Sequence, residues 1–211
     1  MTRTDTSTRR LTLITTGTGK TGRRVVERLK ALGVPTRIGS RSADLPFDWN
    51  DRSTWASILD GVTSIYIVYY PDLAVPGASE AIQAFVDLAV ESGAQKLVLL
   101  SGRGEEEARR CEEIVQNAGV NWTVLRATWF SQNFSEGFMR DLVLGGTVAL
   151  PAGGVREPFV DVEDIADIAV AALTETGHDG QVYELTGPRL LTFAEAVGEI
   201  SEATGQEVTY A

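Results

Sequence analysis

The hydrophobic positions of this chain repeat with two alternating periods. Residues 11–16 form an apolar run of strand length, and residues 23–32 place Val25, Val26, Leu29 and Leu32 on one helical face before Gly33 ends the pattern. Residues 36–40 read as a second short strand, Trp55–Leu59 as a short helix and residues 64–69 as a buried strand rich in β-branched and aromatic side chains. Ala78, Ile82, Phe85, Val86 and Ala89 line the next helix, which stops near Gly93. Residues 96–100 form another apolar strand. Cys111, Ile114, Val115 and Ala118 then make a helical stripe, followed by a strand at 121–126. Strand and helix alternating in this way predict a parallel sheet with helices on both faces.

Beyond about residue 130 the rhythm loosens. Residues 147–150 and 159–160 read as short strands, 162–173 as a helix capped by Asp161, and 183–186 as a strand. Thr192-Phe-Ala-Glu195 carries the capping-box pattern that opens a helix. The chain stops at residues 208–211 in what reads as a strand, an awkward place to end, which predicts that part of a C-terminal lobe is missing. No repeat or low-complexity run interrupts the pattern. The expected fold is α/β, a doubly wound parallel sheet with a small, incomplete C-terminal lobe. The expected division is a flexible N-terminus at 1–10, the sheet core at 11–130, and remaining core elements with the small lobe at 131–211.

The chemistry concentrates between the first strand and the first helix, in Gly17-Thr-Gly19-Lys-Thr-Gly22. The G-x-G-x-x-G spacing after a strand and before a helix suits a nucleotide pyrophosphate. Gly17 permits the tight turn, Gly19 lets the backbone approach the phosphates, and Gly22 lets the helix pack close to the strand. The helix N-terminus then offers unpaired N–H groups to the anion. Gly19-Lys20-Thr21 also resembles the end of a triphosphate-binding loop, but that motif needs a glycine at position 14, which is Ile14. The spacing excludes ATP or GTP hydrolysis.

The end of the second strand indicates which dinucleotide is expected. An NAD site usually carries Asp or Glu there for the ribose hydroxyls. Here the chain reads Arg37-Ile-Gly-Ser40-Arg41-Ser42, and Arg41 stands where its planar donor fork meets a 2′-phosphate. NADP(H) is therefore the expected cofactor, with NAD the alternative. Arg23 and Arg24, just inside the first helix, oppose its dipole unless an anion lies nearby.

Composition removes several classes of function. At 211 residues, 43% hydrophobic and 23% charged, the chain has the make-up of one globular α/β domain with a small appended lobe. A net charge of −10 argues against a general nucleic-acid binder. One cysteine and one histidine exclude a disulfide framework and a Cys/His metal site. No apolar run approaches membrane-spanning length. Residues 1–10 lack the apolar core of a secretory signal, so a cytoplasmic protein is expected.

Several segments together resemble the NmrA-like group of atypical short-chain dehydrogenases. They are the glycine loop, Ser40-Arg41, Leu100-Ser-Gly102, Trp122-Thr-Val-Leu-Arg126, Trp129-Phe-Ser-Gln-Asn133-Phe134, Pro158-Phe-Val-Asp-Val-Glu-Asp164-Ile-Ala166 and Tyr183-Glu-Leu-Thr-Gly-Pro188. The resemblance covers almost the whole chain. It implies a Rossmann core, NAD(P) binding and a substrate lobe, in a group that holds quinone reductases, other small-molecule reductases and redox-sensing regulators. It implies that Gly17, Thr18, Gly19, Lys20, Thr21 and Gly22 hold the pyrophosphate, that Ser40 and Arg41 meet the adenosine phosphate, and that Asp48 lies near adenine. It also places Tyr69, Tyr70 and Pro71 beside the nicotinamide ribose and Ser101 and Gly102 near the nicotinamide. Trp129, Phe130 and Asn133 would shape the substrate side.

The tyrosine four residues before a lysine used by the larger short-chain dehydrogenase family is absent. None of Tyr66, Tyr69, Tyr70, Tyr183 and Tyr210 precedes Lys20, Lys30 or Lys96 at that spacing. Ser101, Tyr69 and Tyr70 remain as catalytic candidates. A ketone reduction that needs a strong proton donor is disfavoured, whereas quinone reduction can draw its proton from water. Cys111 reads as an inert core thiol, His178 as a solvated turn residue, and Glu105-Glu-Glu107 as the acidic opening of a helix. The expected activity is NADPH-dependent hydride transfer to a quinone or similar small electrophile. The alternative is a dinucleotide-binding redox sensor acting through a protein partner. A second copy of the chain is the other partner to consider.

Overall fold

The computed structural model describes residues 11–211. The flexible terminus and missing leader expected for residues 1–10 lie outside the described residues. The first half alternates as expected: β1 (Leu11–Ile14), α1 (Lys20–Ala31), β2 (Thr36–Ile38), α2 (Trp55–Leu59), β3 (Val62–Ile67), α3 (Ala78–Glu91), β4 (Lys96–Gly102), α4 (Glu106–Gln116) and β5 (Asn121–Ala127). The second half holds α5 (Asn133–Glu136), α6 (Phe138–Leu144), β6 (Thr147–Val148), β7 (Arg156–Glu157), α7 (Val162–Thr174), β8 (Gln181–Leu185), β9 (Leu191–Thr192), α8 (Phe193–Thr204) and β10 (Thr209–Tyr210).

Six strands form one parallel sheet in the order β2-β1-β3-β4-β5-β8. Alternate side chains of each strand enter different layers, as the two-residue period requires. Leu13, Ile65, Ile67, Leu97 and Leu99 face α2, α3 and α4, where Trp55, Phe85, Cys111 and Val115 are buried. Ile14, Tyr66, Val98 and Leu125 face α1 and α7, against Val25, Leu29, Ile165 and Ala169. This is a Rossmann-type doubly wound sheet. From β1 the chain runs first to β2 on one side and later to β3 on the other. The crevice of such a sheet therefore opens at the carboxyl ends of β1 and β3. A single parallel bridge, Ser40 to Pro46, extends the sheet beyond β2.

A third cluster, with Phe134, Met139, Val148, Phe193 and Val197 at its centre, joins α5, α6 and α8 with β6 and β10 beside the sheet. Asp161 caps α7 by accepting from the Glu163 amide, and Thr192 with Glu195 completes the capping box of α8, both as expected.

Four expectations need correction. Leu32 is 63% exposed instead of buried, because α1 ends at Ala31 and Leu32 turns outward before left-handed Gly33. The strand expected at 64–69 ends at Ile67, because the Val68 backbone bonds to side chains instead of a neighbouring strand. At 159–160 only Val160 bridges, to Phe130, and the paired residues nearby are β7 and β9. The helices α5 and α6 had no counterpart among the expected elements. They are short, and Gly137 separates them before any apolar stripe can develop.

Phe85 sits fully buried in an aromatic cluster with Phe47, Trp49 and Trp55, at centroid distances of 5.6, 5.0 and 5.5 Å. Phe85→Ala is expected to cost about 3–5 kcal/mol in urea denaturation. Leu32→Ala is expected to stay within about 0.5 kcal/mol. Comparable losses would contradict the layer assignment.

Candidate functional site

The loop from β1 to α1 is tied to the end of β3 by threonine side chains. The Thr15 hydroxyl accepts from the Val68 amide at 2.7 Å, and the Thr16 hydroxyl donates to the Val68 carbonyl at 2.8 Å. Thr16 adopts a left-handed conformation, φ 50°, which a β-branched residue holds only when its surroundings enforce it. The glycines then have steric reasons. A Cβ on Gly22 would stand 2.5 Å from the Thr16 carbonyl oxygen and 2.8 Å from Gly17 Cα, and one on Gly17 would reach Ile38 Cγ2 at 2.9 Å. One on Gly19 would crowd Thr16 at 3.1 Å. The tight turn expected of Gly17 is thus made by Thr16, while Gly17 makes room for β2. Gly19 opens α1 with no side-chain cap, and the first turn has no acidic residue. Its free N–H groups and dipole are left for an anion.

The second rim lies at the end of β2. Thr18 reaches the Ser40 hydroxyl at 3.4 Å, and the Ser40 and Ser42 hydroxyls lie 3.1 Å apart. With Lys30 and Arg37 they line a groove of about 480 Å³. Arg41 stands 6.0 Å over the ring of Tyr70, itself 56% exposed, so these two predicted residues share one face of the cleft. Asp48 Oδ1 accepts from the Asn50 amide, and the Asp48 carbonyl accepts from Trp55 Nε1. A wider groove of about 980 Å³ runs between α3 and α4, and none of the expected site residues lines it.

Lys20 and Asn133, expected on the cofactor and substrate sides, are brought together by a 2.7 Å bond from Lys20 Nζ to Asn133 Oδ1. Burial pushes the Lys20 ammonium below its usual range, and Glu136 opposes that shift. Arg23 and Arg24 have their anions within the protein: both bind Glu136, at 2.6 and 2.8 Å, and Arg24 also pairs with Glu163. Arg28 continues the seam to Glu163 and Asp167. Sequence reasoning missed Glu136, whose partners lie 112 and 113 positions away.

At the carboxyl end of β4, buried Ser101 donates its hydroxyl hydrogen to Glu112 Oε1 at 2.6 Å. Glu112 is itself buried and held by two bonds from Arg126, at 3.0 and 2.6 Å, and Arg126 continues to Glu184 at 2.9 Å. This network was also missed. Its only signal was a glutamate beside Cys111 on the buried side of α4. Tyr69 packs 5.0 Å from Trp49, with burial the main cause of its raised pKa. Pro71 follows Tyr70 in the same loop, and Gly102 follows Ser101 at the end of β4. The Tyr66 hydroxyl is sealed beneath α1 near Thr21 without a bond of good geometry. Burial pushes the Cys111 thiol up to about 12, which suits an inert thiol. His178 is a turn residue, but its Nδ1 bonds the Tyr183 hydroxyl at 2.9 Å, so it is less solvated than expected. On the substrate side Trp129 stacks edge-on against Phe193 at 5.1 Å, while Phe130 bridges to Val160. Among the described residues no His, Cys, Asp or Glu cluster could hold a metal. No described helix is long and apolar enough to cross a membrane.

Sheet order, crossover helices and glycine cradle define a Rossmann-type nucleotide-binding fold. No protein-family model matches the chain. It is 30% identical over 222 residues to prestalk A differentiation protein A of Dictyostelium discoideum, spanning 97% of this chain and 73% of that protein. It is 32% identical to the uncharacterized oxidoreductase YesF of Bacillus subtilis, spanning 94% of this chain and 72% of that protein. The structure of the NADPH-dependent quinone oxidoreductase QOR2 of Escherichia coli, complexed with NADPH, superposes with a TM-score of 0.76 at 22% identity, covering 95% of this chain and 77% of that one. The chain belongs to the NmrA-like family of atypical short-chain dehydrogenases/reductases.

The two arginines hold the Glu136 carboxyl down at about 2, chiefly through the Arg24 bond. A folded-state pKa below the unfolded value stabilises the fold above about pH 4.5, and this contribution is lost as pH falls towards 2. Glu136→Gln is expected to remove on the order of 2 kcal/mol at pH 7 and to flatten the thermal midpoint between pH 5 and 2. An equally steep acid limb in the variant would exclude Glu136 as its source.

Proposed function

We propose that this chain is an NAD(P)H-dependent oxidoreductase that prefers NADPH and reduces a quinone or similar small electrophile. The observation that carries this reading is the uncapped, acid-free start of α1 in a loop whose three glycines let the chain pack tightly against Thr16 and β2. The residues fit the dinucleotide. The N–H groups opening α1, with Thr18 and Thr21, would take the pyrophosphate, and Ser40 and Arg41 the 2′-phosphate. Tyr69, Tyr70 and Pro71 would border the ribose, and Ser101 and Gly102 the nicotinamide end. When bound, the reduced nicotinamide supplies a hydride.

The residues of the chain bind and orient. The N–H groups of α1 set the register of the phosphates, and Arg41 on Tyr70 closes the adenosine end. Ser101, its hydrogen committed to Glu112, presents lone pairs and so accepts hydrogen bonds without giving a proton. A quinone suits such a site, because its reduced anion collects a proton from water. Residues 131–211, with Trp129, Phe130 and Asn133 at their edge, would form the acceptor side, and residues 11–130 the dinucleotide side. The quinone oxidoreductase likeness and the oxidoreductase relative support the reading. A second reading, a redox sensor without turnover, is favoured by the missing Tyr-x-x-x-Lys pair and by a relative named for differentiation.

Calorimetric titration with NADPH, NADP⁺, NADH and NAD⁺ tests the cofactor. Gly19→Trp is expected to abolish binding of all four, and unchanged affinity would remove the loop assignment. Arg41→Ala is expected to weaken NADPH about tenfold more than NADH, equivalent to about 1.4 kcal/mol. Equal losses would sink the 2′-phosphate role.

A further inference from the structure

Tyr66 sits near the carboxyl end of β3, and strand alternation sends its side chain to the α1–α7 side of the sheet. It packs there in the cluster of Ile14, Val25, Val162 and Ile165 and is fully buried. A buried tyrosine ordinarily finds a partner for its hydroxyl. Here, among the described residues, Tyr66 Oη is the one side-chain polar atom sealed from solvent without a partner. Phenylalanine would fill the same space without leaving a donor unpaired. Burial holds the phenol above its ordinary range, so it keeps its hydrogen.

The hydroxyl that faces it belongs to Thr21, in poor geometry for a bond. Thr21 lies in the first turn of α1, inside the glycine loop, and is 3% exposed. Its own Oγ1 has no good partner either, yet it is not among the sealed atoms, so it keeps an opening at the uncapped start of the helix. One hydroxyl donates once and accepts twice. If Thr21 gives its hydrogen to an anion, its oxygen is left to accept from behind, where the Tyr66 donor waits. We propose that Tyr66 is a positioning residue for the anion site of α1: it donates to Thr21 Oγ1, which donates to a pyrophosphate oxygen. This rests on the dinucleotide reading above. The two hydroxyls polarise one another in sequence, and no proton changes owner. The buried phenol is satisfied only when the dinucleotide is bound, so the free protein carries a cost that binding relieves.

Calorimetric titration of the full chain with NADPH, and thermal unfolding without nucleotide, compare the parent with Tyr66→Phe, Thr21→Val and the double variant. Free Tyr66→Phe is expected to unfold at the parent's temperature or above it, because the orphaned hydroxyl is gone. It is nevertheless expected to bind NADPH about fivefold more weakly. Thr21→Val is expected to lose at least as much affinity, and adding Tyr66→Phe to it to cost nothing further. A role in packing alone would move stability and affinity in the same direction. A lowered midpoint for free Tyr66→Phe, an unchanged NADPH affinity, or additive losses in the double variant overturns the proposal and leaves the oxidoreductase reading standing. Failure of the parent to bind NADPH removes both.

Discussion

The carbonyl of Val68 accepts three side-chain donors: the Thr15 and Thr16 hydroxyls at 3.2 and 2.8 Å and Trp49 Nε1 at 3.0 Å. A peptide group that would otherwise continue a sheet ladder is diverted to hold two separate segments. The diversion ends β3, fixes Thr16 in its left-handed conformation and anchors the loop after β2 through Trp49. A β-branched residue in that conformation carries on the order of 1–3 kcal/mol of strain. The hydroxyl bond to Val68 is what keeps it there. The result is a turn rigid enough to present the start of α1 without a cap.

The side of α1 that meets α5 and α7 has a different task. Lys20, Arg23, Arg24 and Arg28 lie along one face and meet Asn133, Glu136, Glu163 and Asp167. The helix that offers its N-terminus to an anion therefore also carries α5 and α7. Arg24 is bonded to two carboxylates and well buried, which makes its partnership with Glu136 costly to break from either side. Basic residues that look misplaced against the helix dipole are explained by this seam.

Much of the architecture was legible in the chain, because long periodic segments carry their own signal. The stripe Ala78, Ile82, Phe85, Val86, Ala89 is buried throughout α3, and Thr192 with Glu195 opens α8 by purely local bonds. Short elements were not legible. The two residues of β7 exist because β9 lies opposite them, and nothing within Arg156-Glu157 announces it. The site divides in the same way. The glycine spacing is local and could be read, while the bond between Ser101 and Glu112 depends on how α4 packs on β4.

The bridge at Pro46 has a consequence for how copies of this protein meet one another. β2 is the outer edge of the sheet and only three residues long. The single pair continuing the sheet past it belongs to a residue without an amide hydrogen. A strand from another chain would find too few consecutive donors and acceptors on that rim to register against it. An interrupted edge therefore resists strand addition at this rim, while the opposite edge of the sheet is the longer β8.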